Sequence, residues 1–167
     1  MKTALVRSAL AAAALFMPAA CWAALVTHFP EGGGVKTGGL KVGPVRLGGK
    51  TVEQGPPFSE AVRAGNTLYI SGTVDLDPVT RKPAADATAG ARIVLNNIKK
   101  TVETAGYTMD DLVWVQVFTS NIADYGAFNE VYRTYFKGPF PARAFIGAGS
   151  LLGGAHFEVM GIAVRSK

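Results

Sequence analysis

The sequence predicts an α+β fold, a mixed six-stranded sheet carrying two helices on one face. Three observations predict it. Six short runs alternate in polarity or are dense in β-branched and aromatic residues, and two longer runs repeat apolar residues at helical spacing. Strands and helices also alternate only partly along the chain, which argues against a purely parallel sheet.

The 167 residues are near the size of one domain, and a hydrophobic content of 49% suffices for an ordinary core. The start of the chain stands apart from that domain. Residues 1–7 are short and basic, residues 8–20 are rich in Ala, Leu and Phe, and Cys21-Trp22-Ala23 ends in small residues. This pattern predicts a secretory signal peptide over residues 1–23, cleaved after Ala23. The apolar run is short for a membrane span. Pro18 also stands where a lipid-attachment signal at Cys21 would carry a leucine-like residue. Cleavage would remove the single cysteine, and with it any disulfide or thiolate chemistry. Loss of Lys2 and Arg7 leaves 15 basic residues against 12 acidic, a net charge of +3. The mature protein is expected to be secreted or periplasmic, with no membrane contact after cleavage. Its basic residues are scattered, without an aromatic-interleaved stripe, so no nucleic-acid partner is expected.

Residues 24–54 are glycine-rich and read as a flexible arm with at most a short edge strand. Gly48-Gly49-Lys50-Thr51 resembles the end of a phosphate-binding loop. Pro44 occupies the place of its first glycine, and Gly55-Pro56-Pro57 leaves no room for the helix the motif needs. The folded domain is expected over residues 55–167. Residues 59–64 and 67–71 alternate around Gly65-Asn66, a hairpin signal, and Gly72 leads into a third strand at Thr73-Val74-Asp75-Leu76. Asp86 then caps a helix whose apolar residues are Val94, Leu95, Ile98, Val102 and Ala105, and Gly106 stops it. Residues 112–120 read as an interior strand. A second helix opens at Asp124, buries Phe128, Val131, Tyr132 and Tyr135, and ends near Gly138. Strands at 142–149, buried on both faces, and 157–164 finish the chain. With helices on one face only, the other face would be bare and apolar, which predicts a homo-oligomer.

Two charges stand out against apolar strands. Arg143 lies in Phe140-Pro141-Ala142-Arg143-Ala144-Phe145-Ile146, and a guanidinium is rarely buried without an anionic partner. Glu158 lies fifteen residues on, among Phe157, Val159 and Met160. The pair reads either as two ends of a polar site or as a structural ion pair. His156-Phe157-Glu158 copies the His-x-Glu of zinc deaminases, whose other ligands are cysteines. None remains after processing, so no metal is expected and His156 reads as a surface histidine.

Six separated motifs then resemble one family in order and spacing. They are Gly55-Pro56-Pro57-Phe58-Ser59-Glu60-Ala61, Tyr69-Ile70-Ser71-Gly72, Val94-Leu95-Asn96-Asn97-Ile98-Lys99, Phe128-Asn129-Glu130-Val131-Tyr132, Pro141-Ala142-Arg143, and Glu158-Val159-Met160-Gly161-Ile162-Ala163. Together they resemble the RidA/YjgF family of reactive-intermediate deaminases. The resemblance implies a chorismate-mutase-like fold and a homotrimer with sites between subunits. It implies hydrolysis of 2-iminobutanoate and 2-iminopropanoate to 2-oxo acids and ammonia, with no metal or organic cofactor. By the same resemblance Arg143 holds the substrate carboxylate, Glu158 positions or deprotonates the attacking water, and Asn129, Ser71 and Gly72 line the pocket. Four positions depart from the family pattern. Phe58 replaces a tyrosine, Phe145 a cysteine on the same strand face as Arg143, Met160 a glutamate and Thr73 a glutamine. The substrate pocket, with Phe58 and Phe145 in its wall, is therefore reshaped and more apolar, which suits a larger or different carboxylate. A protein of another class fits the same residues, a secreted or periplasmic module that binds a small carboxylate without turnover.

Overall fold

A computed structural model of the chain describes residues 26–29, 45–47, 50–52 and 57–165. The expected signal peptide, Cys21 and most of the glycine-rich arm lie outside the described residues. In chain order the elements are β1 (Val26–Phe29), β2 (Val45–Leu47), β3 (Lys50–Val52), β4 (Ala61–Ala64) and β5 (Thr67–Val74), then α1 (Ala87–Thr104) and β6 (Leu112–Thr119). They continue with α2 (Tyr125–Tyr132), β7 (Ala142–Gly147) and β8 (Phe157–Val164). The main sheet has the order β1-β4-β5-β8-β6-β7, while β2 and β3 pair separately. Only β6 and β7 run parallel within the main sheet.

Local chemistry sets these boundaries. Gly65 takes φ 63° in the tight turn that places Ala64 opposite Thr67, a backbone glycine adopts without a Cβ clash. The Asp86 carboxylate accepts the Ala89 N–H at 2.8 Å and caps α1. Val94, Leu95, Ile98 and Val102 form its buried stripe, and Gly106 at φ 82° turns the chain away. Along β8, Phe157, Val159, Gly161 and Ala163 point inward while the alternate residues point to the other side. The core lies between that inner face and the two helices, with Phe128 of α2 against Phe157 at 4.8 Å and Phe145 at 5.5 Å. A fully buried side chain such as Phe128 or Phe157 contributes about 1.5–3 kcal/mol. Among the described residues no helix covers the opposite face, on which Tyr69 and Ile146 are exposed.

Several expectations change. The domain supplies five strands to the sheet rather than six, because residues 67–74 form one strand where two were expected. A bulge between Ile70 and Thr73 absorbs the irregularity that Gly72 signalled. The short edge strand allowed for the arm is β1, which pairs with β4, and the same segment adds the separate β2–β3 pair. The helix α2 stops at Tyr132 and passes into a 3-10 turn over Arg133–Tyr135, well before Gly138. The strand β7 lies at the sheet edge, with exposed ends, rather than buried on both faces. Its small residues reflect an edge position, which alternation cannot distinguish from a crowded interior. His156 is no simple surface residue. Its Nδ1 lies 2.9 Å from the carboxylate of Asp75, which is fully buried and also accepts the Phe157 N–H at 2.8 Å.

Candidate active site

Arg143 extends from β7 onto the helix-bearing face, because its ladder partner Val115 is a core residue. Its guanidinium sits 4.5 Å from the Tyr132 ring centroid, with Phe128, Phe145 and Tyr125 within 6 Å. One terminal nitrogen donates to the Asn129 side-chain oxygen at 2.6 Å. The other is buried with no partner. A neutral amide and four aromatic faces hold the cation in place without neutralising it. The ligand that completes such a site is an anion, and a carboxylate matches the planar guanidinium in geometry. Asn129, Tyr132, Arg133, Phe140, Pro141 and Arg143 line a cleft of about 260 Å³ here. Burial pushes the Tyr132 hydroxyl up to about 12, partly offset by the Arg143 charge. Its oxygen is also buried without a partner.

Glu158 belongs to a second cleft, of about 390 Å³, which also takes in Phe58, Ser71 and Gly72. That cleft opens beyond the start of β4 at Ala61, opposite Ile70, past which β4 supplies no further ladder partner to β5 among the described residues. At the bulge Gly72 has no side chain, and a Cβ built there would overlap the Glu158 carboxylate. Glycine is thus what lets Glu158 lie across β5 and reach the cleft. Ser71 is fixed by its N–H to the Glu60 carbonyl at 2.9 Å and its hydroxyl to the Ser59 carbonyl at 2.7 Å. Asn97 of α1 donates to Thr73 and to the Val74 carbonyl, each at 3.3 Å, and ties the helix to this wall.

The seven residues singled out in the sequence therefore divide into two groups. Phe58, Ser71, Gly72 and Glu158 share one cleft, and Arg143 and Asn129 share the other. Phe145 lines neither; its ring packs between Tyr125, Phe128 and Phe157 beneath the guanidinium. Arg143 and Glu158 pair with Val115 and Phe118 of β6, from opposite sides of that strand. Two strand spacings and three residues separate their backbones by about 14 Å. Alternation also puts them on opposite faces. One chain does not bring them together, and they are not a structural ion pair. Sequence reasoning missed Tyr132 as the floor of the arginine site, although its place one helical turn after Asn129 was a usable signal. It also missed Asn97 and the Asp75–His156 contact, which no spacing announces. Among the described residues no three His, Cys, Asp or Glu side chains converge as a metal-ligand set.

The fold and site define an α+β domain with helices on one face of its sheet and a buried arginine whose free nitrogen is suited to an anion. The chain belongs to the family described as Endoribonuclease L-PSP, which it matches over residues 50–165; RidA and YjgF proteins are among its structural neighbours. It is 37% identical over 112 residues to a 2-iminobutanoate/2-iminopropanoate deaminase of Dermatophagoides farinae, covering 65% of this chain and 85% of the relative. The mouse protein of the same name is 36% identical over 110 residues, covering 65% and 82%. Among solved structures, the YjgF gene product of E. coli superposes with a TM-score of 0.63 at 31% identity, covering 79% of this chain and all of its own. E. coli TdcF with bound serine gives 0.63 at 29% identity, covering 74% and 94%.

Proposed function

We propose that this protein is an imine deaminase that hydrolyses 2-iminobutanoate- and 2-iminopropanoate-type substrates to 2-oxo acids and ammonia. The observation that carries the reading is the Arg143 guanidinium, caged by aromatic rings with one buried nitrogen unpartnered. It is a site preorganised for a carboxylate. The deaminase names of relatives more than 35% identical support the chemistry.

In this mechanism Arg143 holds the substrate carboxylate and so fixes the adjacent imine carbon. Glu158 accepts a proton from water as the water oxygen attacks that carbon. The resulting carbinolamine takes that proton from Glu158 on its nitrogen, the carbon–nitrogen bond breaks as the hydroxyl gives up its own proton to form the carbonyl, and ammonia leaves with the 2-oxo acid. Beyond the attack of water and the loss of ammonia the reaction needs only proton transfers and no change of oxidation state, and the reading includes no metal or organic cofactor. Because Arg143 and Glu158 lie on opposite faces of one chain, the working site is proposed to form where the arginine cleft of one copy meets the glutamate cleft of another. A homotrimer closes such a head-to-tail contact, and the uncovered face bearing Tyr69 and Ile146 supports association. The signal-peptide pattern of residues 1–23 supports a secreted or periplasmic location.

The test is ammonia and oxo-acid release from 2-iminopropanoate and 2-iminobutanoate generated in situ by an amino-acid oxidase. The protein is expected to accelerate hydrolysis and Arg143→Ala to lose the effect; no acceleration by the wild type sinks the reading. The separation of the two clefts favours a second reading, a carboxylate-binding protein without turnover, since Arg143 and Asn129 bind an anion without Glu158. Arg143-dependent carboxylate binding with no hydrolysis would select it.

A further inference from the structure

The cleft around Glu158 is larger than a small imino acid requires. Such a molecule fills on the order of 100 Å³, a few times the ~30 Å³ share of a water molecule, whereas the cleft measures about 390 Å³. Its two walls also differ in charge. Glu60 and Glu158 enter from the strand side, while Lys100 of α1 and Arg81 of the loop before that helix enter from the other. Among the described residues neither Lys100 nor Arg81 has an ion-pair partner. Arg81 is also the one described non-glycine residue with positive φ, at 60°. Its side chain is thus presented from a backbone that glycine or asparagine would adopt with less strain. Exposed Phe58 and Leu152 border the same space and can cover the carbon chain of a ligand.

We infer that the preferred substrate is a 2-imino acid whose side chain ends in a second anionic group, held by Lys100 and Arg81; a dicarboxylic 2-imino acid is its simplest form. The inference rests on the deaminase reading for the first carboxylate and the imine, and adds the far end of the molecule. The imine nitrogen, which gains positive charge on protonation, lies by the acidic wall. The distal anion lies by the basic one. Each end of the substrate therefore meets the complementary sign, and the same charges disfavour an amine-tipped side chain.

The experiment measures binding of 2-oxobutanoate and 2-oxoglutarate, stable product analogues of the two classes, to wild type, Lys100→Ala, the Lys100→Ala/Arg81→Ala double variant, and Arg143→Ala. 2-Oxoglutarate is expected to bind about tenfold tighter than 2-oxobutanoate, the effect of one or two partly exposed charge-assisted contacts. The double variant should lose that preference while its 2-oxobutanoate affinity stays unchanged, and Lys100→Ala should lose part of it. Arg143→Ala should weaken both acids alike. Equal binding of the two acids by wild type, or a preference that survives in the double variant, overturns the proposal and leaves the deaminase reading standing. If the oxidase-coupled assay shows no hydrolysis while the Lys100-dependent preference for 2-oxoglutarate holds, the deaminase reading falls and the substrate inference with it, and the distal anion site stands as a binding site alone.

Discussion

The two clefts differ in almost every property that matters for chemistry. The arginine cleft is shallow and aromatic, and the Arg143 cation in it is fixed by Asn129 and Tyr132. The glutamate cleft is larger, carries charges of both signs, and is built on a bulge whose glycine makes way for a carboxylate. One is suited to grip an anion rigidly, the other to move a proton beside a varied ligand. On the proposed deaminase reading each holds half of what hydrolysis needs, and the difference teaches how one chain can present such a site as two separate surfaces.

The sharpest way to break the comparison is to remove each half. Arg143→Ala is expected to lower kcat/KM by a hundredfold or more, with weaker product binding. Glu158→Gln should lower kcat on the order of a hundredfold while leaving product binding nearly intact, as loss of a general base does. Steady-state kinetics with oxidase-generated imines, paired with 2-oxobutanoate titration, separates the two. If both variants lose binding equally, the division of labour is wrong.

Mixing the two inactive variants sharpens the comparison further. If the halves meet between copies in a head-to-tail ring, subunit exchange restores intact pairs at about a quarter of the contacts. Activity should then recover to roughly that share of wild type. Recovery absent after verified exchange would place both groups on one chain's own path and refute the shared site.

Gly72→Ala acts more gently. The new Cβ would meet the Glu158 carboxylate, a flexible side chain that can swing aside. The variant is expected to lose about tenfold in kcat and no more than about 1–2 kcal/mol of stability. A large loss of stability with unchanged kcat would mean the glycine serves the strand and not the carboxylate.

The smallest effect concerns Tyr132. Its folded value of about 12 lies above the ordinary 10, so the unfolded chain releases this proton first. From pH 10 to 12 the unfolded state binds fewer protons, and stability falls as pH rises, by an amount on the order of 2 kcal/mol. Tyr132→Phe should flatten that alkaline limb and leave stability at neutral pH within about 1 kcal/mol, since it removes a buried hydroxyl that has no partner. Denaturant unfolding at pH 8, 10 and 11 reads it directly.

Periodicity and punctuation in the sequence determined the first helix, the existence and start of the second, the Gly65 turn, the Asp86 cap and the interior place of β6. These are local matters of Cβ position and unpaired backbone groups, so a dozen neighbouring residues suffice to specify them. Arg143 and Glu158 were conspicuous as candidates, because a lone charge in an apolar strand stands out wherever the strand goes, whereas Phe58, Ser71, Gly72, Asn129 and Phe145 were named only through the family resemblance. What only the tertiary structure decided is which of them meet. The bulge at Ser71 and Gly72 joined two expected strands into one, because backbone pairing with β8 continues across it. Sheet order placed β6 between Arg143 and Glu158, and the parity of each strand set them on opposite faces. Asp75 and His156 found each other across 81 residues. Order and parity are properties of pairing between distant strands, and no local spacing encodes them.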